Sequence, residues 1–246
     1  MKRIIKIIAA LVFVPGLAFA NEENVRLDKA PVDLANQASL QRGARMFVNY
    51  CLNCHSASYM RYSRLQDLGL TENQIKDNLL FTREKPGETM TIAMSKADAK
   101  AWFGATPPDL SVIARSRGPD WLYTYLRSFY RDDTRSTGWN NVVFDKVGMP
   151  HVMATLQGEQ IAHYRTEKEA NGEEKQVFDR FELVKPGSVS LAQYDAMVGD
   201  LVNYLAWMGE PAKEKRMTTG LFVLLFLGMF FVVAYYLKKE FWKDIH

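Results

Sequence analysis

The chain has two cysteines, Cys51 and Cys54, and His55 directly follows the second in "VNYCLNCHSASYM". Three chemistries use such a cluster. A disulfide of the thioredoxin-like redox type wants a βαβ setting, which the flanks do not supply. Zinc takes four protein ligands in a structural site or three in a catalytic one. Two Cys and one His would want a further partner, and no second cysteine pair exists. Haem accounts for all three residues at once. Thiols three positions apart lie on one side of a helical turn and can form thioethers to the two vinyl groups, while the next residue offers an imidazole to the iron. The pentapeptide CLNCH therefore reads as the attachment site of one covalently bound haem c, with His55 as an axial ligand.

A low-spin electron carrier needs another axial ligand, usually Met or His. Met60 is too near His55 to reach the other haem face easily. Met90 and Met94 lie in or beside an expected helix, "SKADAKAWFG", and Met197 and Met208 belong to an apolar stripe. His163 sits in a polar segment, and His246 is the last residue. Met149, in "DKVGMPHVMATLQG", is the best candidate. Gly148 lets the backbone approach closely, and Pro150 pushes Met149 out of helical geometry and limits the loop's freedom. His151 and Met153 are alternatives in the same loop, and Met149 could equally be an ordinary buried apolar residue. "GATPPDLSVIARSRGPDWLYTYLRSFY" supplies a third segment. Pro107 and Pro108 make a rigid start, and Asp109 can cap a helix from Leu110. Gly118 breaks that helix and Pro119 starts another. Arg115 and Arg117 lie near the break. An arginine is a natural bidentate partner for a haem propionate, and one of the two reads as a solvated surface charge.

Helices must position these parts. "QASLQRGARMFVNYC" places Leu40, Ala44, Phe47, Val48 and Cys51 at helical spacing, so a helix delivers the motif. "SLAQYDAMVGDLVNYLAWMGEP" opens with a capping-box pattern, Ser190 and Gln193. It carries Tyr194, Met197, Val198, Leu201, Leu205 and Met208 on one stripe and ends at Gly209 and Pro211. Between Gly158 and Ser188 the chain turns polar, with Asn171-Gly172 as a hairpin signal. Acidic residues outnumber basic ones there: Glu159, Glu167, Glu169, Glu173, Glu174, Asp179 and Glu182. Such a run suits a docking face for a basic partner or a plain solvated hairpin. The expected fold is mainly all-α: a cytochrome c-type haem domain with a small β-hairpin insertion and one C-terminal transmembrane helix.

The ends set the compartment. Residues 1–20 read as a signal peptide, with Lys2, Arg3 and Lys6 before an apolar run and Ala18-Phe19-Ala20 as the cleavage pattern. A short retained anchor is the other reading. "MTTGLFVLLFLGMFFVVAYYL" (217–237) has no charge over 21 residues, the length that crosses a ~30 Å hydrocarbon core. Tyr235, Tyr236 and Trp242 suit an interface, and Lys238, Lys239 and Lys243 follow on the side where the cytoplasm is expected. The expected organisation is a signal peptide (1–20), a periplasmic haem domain (21–212), and an inner-membrane anchor with a short cytoplasmic tail (213–246). The formal net charge of +3 belongs to the ends, because positions 21–212 hold 22 basic against 25 acidic residues. The basic balance gives no argument for nucleic acid.

Four features thus stand in a fixed order: CLNCH, PPDLS…RSRG, VGMPHV and one C-terminal span. In this arrangement, over nearly the whole mature chain, the sequence resembles the cytochrome c1 family, the haem subunits of cytochrome bc1 complexes (ubiquinol–cytochrome c reductases). The resemblance implies covalent haem on Cys51 and Cys54, with His55 and Met149 as axial ligands. It implies that Pro108 packs near the haem and that Arg117 meets a propionate. It also implies electrons arriving from a Rieske iron–sulfur protein and leaving to a cytochrome c, with cytochrome b beside the membrane helix and the complex dimeric. Larger members carry insertions and sometimes an extra cysteine pair. Neither occurs here, so no disulfide is expected. No nucleophilic or proton-transfer constellation stands out, which makes the chain the redox subunit of an enzyme complex rather than an enzyme alone. Two other readings share some of these features: a stand-alone anchored cytochrome c serving a terminal oxidase or reductase, and an anchored periplasmic binding module with a CxxC disulfide.

Overall fold

The computed structural model describes residues 25–168 and 174–244. The expected signal peptide, the Asn171-Gly172 turn and His246 lie outside these residues. After an extended segment, helix α1 (Gln37–Met46) begins under the Asn36 side chain, which accepts from the Ser39 amide, and runs into a π-helical turn, Phe47–Cys51. Next come β1 (Ala57–Arg61), a 3₁₀ turn (Tyr62–Leu68), α2 (Glu72–Asn78), β2 (Thr89–Met90) and α3 (Lys96–Phe103). They are followed by α4 (Ile113–Ser116), α5 (Pro119–Arg127), β3 (Phe129–Arg131) and β4 (Trp139–Asn141). The chain closes with α6 (Ala154–Gln157), β5 (Gly158–Lys168), β6 (Glu174–Pro186), α7 (Leu191–Gly209) and α8 (Lys213–Phe241). Among the described residues, strands pair as three antiparallel couples, β1–β2, β3–β4 and β5–β6. The protein is mainly α. Its hairpin is a long one, with strands of 11 and 13 residues.

The core is built where α1 crosses α7. Gly43 makes the crossing close: a Cβ there would stand 2.1 Å from the Asp200 carbonyl oxygen and 2.7 Å from Tyr204 Cβ. Phe47 and Tyr204 meet in the same seam, with ring centroids 5.6 Å apart. On its rim Arg42 forks onto the Asp200 carboxylate at 2.6 and 2.9 Å. The capping box at Ser190 and Gln193 forms as expected. Burial on α7 extends beyond the expected stripe to Gly199, Val202, Asn203, Tyr204 and Trp207, because α5 and α4 pack on it as well as α1. Buried Asn203 is satisfied by accepting from the Asp33 amide and donating to the Asp33 carbonyl and the Ser39 hydroxyl. That pairing removes the penalty of a polar amide in the core and ties the extended segment down.

One local expectation fails. The helix expected from Leu110 starts at Ile113 and lasts four residues. Asp109 is not its cap. The carboxylate accepts from the Ser111 amide at 2.8 Å and from the Ser58 amide at 2.9 Å, so it joins two distant segments instead. Gly118, with φ +88°, and Pro119 at the first helical position then launch α5 as expected.

Helix α8 is 29 residues long, and every side chain from Leu221 to Phe241 is exposed. No part of its apolar stretch is covered by the rest of the chain. A helix that is apolar all round and leaves its surface open is a single membrane span by length and composition.

Candidate functional site

The turn after α1 begins with an irregularity. The Leu52 amide donates to Phe47 O at 3.0 Å, a bond one residue longer than in an α-helix, and the Cys54 and His55 amides both donate to Cys51 O at 3.1 and 2.9 Å. Such π-turns are frequent at functional sites. Both thiols are free. Burial, with a smaller push from Cys54, raises the Cys51 thiol to about 12.

His55 is held by the Pro107–Asp109 segment. Its Nδ1–H donates to Pro108 O at 2.7 Å, which fixes the tautomer and leaves Nε2 for a ligand. Burial holds the imidazole below its usual range, outweighing the Pro108 bond and the Asp109 charge. The segment is stapled in place: the Leu110 amide donates to Ser56 O at 2.8 Å, and Asp109 clamps Ser58. Burial of the Asp109 carboxyl works upward, but hydrogen bonds from Ser111 and Ser58 outweigh it and hold the group below the usual range.

The methionine loop is shaped by two asparagines. Asn140 Oδ1 accepts from the Asn141 and Lys146 amides, and Asn141 Oδ1 accepts from the Val143 and Phe144 amides. Lys146 takes φ +58° inside this loop. Tyr125 Oη donates to Met149 Sδ at 3.4 Å. Burial keeps the Tyr125 phenol above its usual range, so it remains a donor. Gly148 is not pressed against protein, since a Cβ there would meet only Phe103 O, at 3.7 Å. Its open side lines a cavity.

That cavity, of about 610 Å³, brings the sequence-derived residues together: Cys51, Cys54, His55, Pro108, Arg117 and Met149 all line it. Its remaining surface is largely apolar and aromatic, including Phe103, Trp121, Leu122, Phe144, Leu201 and Leu205. The size and lining suit a cofactor-sized apolar ligand with few polar anchors. Arg117 lies over the Trp121 ring at 5.0 Å. Arg115 does not reach the cavity and packs its stem beside Gly209. The other described candidate ligands also lie off the lining. His151 is buried, stacked on Phe129 with centroids 4.9 Å apart, and Met60, Met90, Met153 and Met208 belong to the core. His163 pairs with Glu182 at 2.7 Å on the hairpin. The described residues of the hairpin contribute nothing to the cavity. Its described carboxylates at Glu159, Glu167, Asp179 and Glu182 pair with neighbouring cations or with His163.

Sequence reasoning missed Asp109 as the clamp, Tyr125 as the partner of Met149, and the two asparagines of the loop. For Tyr125 a signal existed: Trp121, Tyr125 and Phe129 recur every four residues on α5 and its exit, and their rings do touch, at 4.7 and 5.1 Å.

Two adjacent thiols, an imidazole with a committed Nδ1, a thioether and a guanidinium around one apolar cavity fit a covalently attached haem, and a helical domain with this cavity is a haem-binding protein of the c type. Comparison with known proteins agrees. The sequence pattern of the Cytochrome C1 family matches residues 28–245. A cytochrome c1 from Allochromatium vinosum is 50% identical over 237 residues, covering 96% of each chain. A Nitrosomonas europaea protein called ammonia monooxygenase gamma subunit is 48% identical over 246 residues, the full length of both. The cytochrome c1 of Rhodospirillum rubrum is 29% identical over 284 residues, covering 100% of this chain and 98% of the other. The chain belongs to the cytochrome c1 family, whose members carry a covalently bound c-type haem.

Proposed function

We propose that this chain is the haem-bearing, membrane-anchored subunit of a quinol–cytochrome c reductase of the bc1 type. It accepts electrons from a Rieske iron–sulfur protein and passes them to a cytochrome c. In this reading Cys51 and Cys54 hold the haem by thioethers, His55 Nε2 and Met149 Sδ bind the iron, and Arg117 answers a propionate. Pro108 acts through its carbonyl by orienting His55. The haem supplies a one-electron ferric/ferrous couple. His/Met ligation raises its potential relative to His/His, which suits a carrier fed by a high-potential centre. Residues 21–212 form the periplasmic domain after removal of 1–20, and 213–246 form the anchor with a cytoplasmic C-terminus. Cytochrome b lies beside α8 in a dimeric complex. The supporting observation is that Cys51, Cys54, His55 and Met149 share one apolar cavity in a chain of this family that has, among the described residues, one exposed apolar helix long enough to span a membrane.

The test is mild detergent solubilisation of the native membrane. A c-type pyridine haemochrome spectrum, co-purifying cytochrome b and Rieske protein, and quinol-driven reduction of the haem are expected. A haem c chain that purifies alone and ignores quinol would point to a stand-alone carrier. Absence of any c-type spectrum would sink the haem assignment and favour a CxxC binding module.

A further inference from the structure

We propose that Tyr125 is a positioning residue for the sixth ligand: its hydroxyl, by donating to the Met149 sulfur, orients the thioether and biases the iron toward its reduced state. The proposal rests on the reading of Met149 as an axial ligand. The sulfur is 3.4 Å from Tyr125 Oη and is the partner the structure gives that hydroxyl. A thioether sulfur is a weak acceptor, so the bond matters only if the phenol is held in place, and it is. The Tyr125 ring stacks on Trp121 at 4.7 Å and 11° and meets Phe129 edge-on at 5.1 Å and 66°. Its carbonyl accepts from the buried Asn141 side chain at 2.8 Å. Phe129 in turn stacks on His151 at 2°, two residues beyond Met149. The loop is therefore gripped on both sides of Pro150 by one aromatic column, with the hydroxyl as its polar contact to the sulfur.

The electronic consequence follows from where the proton points. A donor on the sulfur draws off lone-pair density. Ferric iron depends on that density more than ferrous iron does, so the bond favours the ferrous form and raises the potential. Hydrogen bonds behind a metal ligand are a recognised lever on its donor strength.

Tyr125→Phe in the full-chain holoprotein removes the oxygen and keeps the ring column. Expected are intact covalent haem, faster displacement of the ferric sixth ligand by added imidazole, and a lower midpoint potential. A neutral hydrogen bond that differs in strength between oxidation states implies about a threefold change in the oxidised-to-reduced ratio, or ~30 mV at ~59 mV per decade. Phe129→Leu is the packing control. It lies outside the cavity lining and keeps the hydroxyl, so loosening the column is expected to lower the potential by clearly less than Tyr125→Phe does. A fall equal to that of Tyr125→Phe would assign the effect to packing and overturn the proposal. Met149→Leu separates the two readings. If it abolishes the sulfur–iron absorption band while Tyr125→Phe matches the parent in potential and exchange, the Tyr125 role is wrong and the ligand reading stands. A band that survives Met149→Leu overturns both.

Discussion

Gly43→Ala tests the seam that delivers the haem-binding turn. The added Cβ would sit 2.1 Å from a main-chain oxygen of α7, the Asp200 carbonyl, and 2.7 Å from Tyr204 Cβ. Neither is the free end of a flexible side chain, so the helices must separate by roughly 1 Å to reach ordinary contact. Overpacking of this kind costs about 1–3 kcal/mol. Against it stands the gain of ~0.5–1 kcal/mol from replacing glycine in a helix. The Arg42–Asp200 fork beside it is solvent-exposed on the arginine side and adds at most ~1 kcal/mol if broken. Because main-chain atoms are what the Cβ meets, the upper half of the overpacking range applies, and the net expectation is a loss of about 1–3 kcal/mol. For a domain of this size that is a melting temperature lower by ~2–12 °C, at ~2–4 °C per kcal/mol. Because α1 runs directly into Phe47–Cys51, the displacement should also broaden the haem Soret circular dichroism before global unfolding. The assay is a thermal scan of the detergent-solubilised holoprotein at both signals. Gly87→Ala is the internal control, since nothing stands within 4 Å of its Cβ position and its φ is ordinary; it should be neutral or slightly stabilising. A Gly43→Ala protein as stable as Gly87→Ala would refute the close-crossing argument.

Three further outcomes follow from the same geometry. Asp109 is held below the ordinary aspartate value of ~3.9, so its contribution is present above that pH and lost as pH falls through the folded value. Because the residue is exposed, solvent screening keeps that contribution under ~1 kcal/mol. Asp109→Asn should lower stability at pH 7, with the gap to the parent narrowing as pH falls below ~3.9, and urea midpoints whose gap stays constant through that fall would contradict this. Arg127 forks onto Asp195 at 2.5 and 2.9 Å and reaches Asp28 at 2.7 Å. Arg127→Ala should cost roughly 1–3 kcal/mol, with no rescue by Lys, which lacks the planar fork; urea unfolding that restores the parent midpoint with Lys would count against bidentate pairing. A chain ending at Ala212 loses α8 and with it the Arg216–Glu210 pair at 2.7 Å. It should remain in the supernatant after ultracentrifugation with the parent haem spectrum, and pelleting or a changed spectrum would mean that α8 supports the domain.

Which parts of the site could be read from the sequence depends on how far each interaction reaches. CLNCH and the Ser190 capping box are settled within a few residues, so their spacing suffices. Arg115 and Arg117 show an intermediate case. Two residues apart in a short helix, they diverge by ~200° at 3.6 residues per turn, so local geometry dictates that only one faces a given cavity. Which one does so depends on where α7 lies, and only packing decides that. Asp109 marks the limit. Capping a helix from Leu110 and clamping Ser58 are both ordinary uses of a short carboxylate, and the second wins because Ser58, 51 residues away, supplies two donors to it. The Pro108 carbonyl that orients His55 is 53 residues from it, and a main-chain carbonyl has no residue identity to read. The bonds joining the CLNCH turn to the proline segment come from carbonyls and short polar side chains, and the loop around Met149 is fixed by Asn140 and Asn141. None of these groups falls on a period of 2 or 3.6. Periodicity could therefore find the helices that enclose the cavity and propose its ligands, whereas the contacts that orient those ligands exist only once the segments have been brought together.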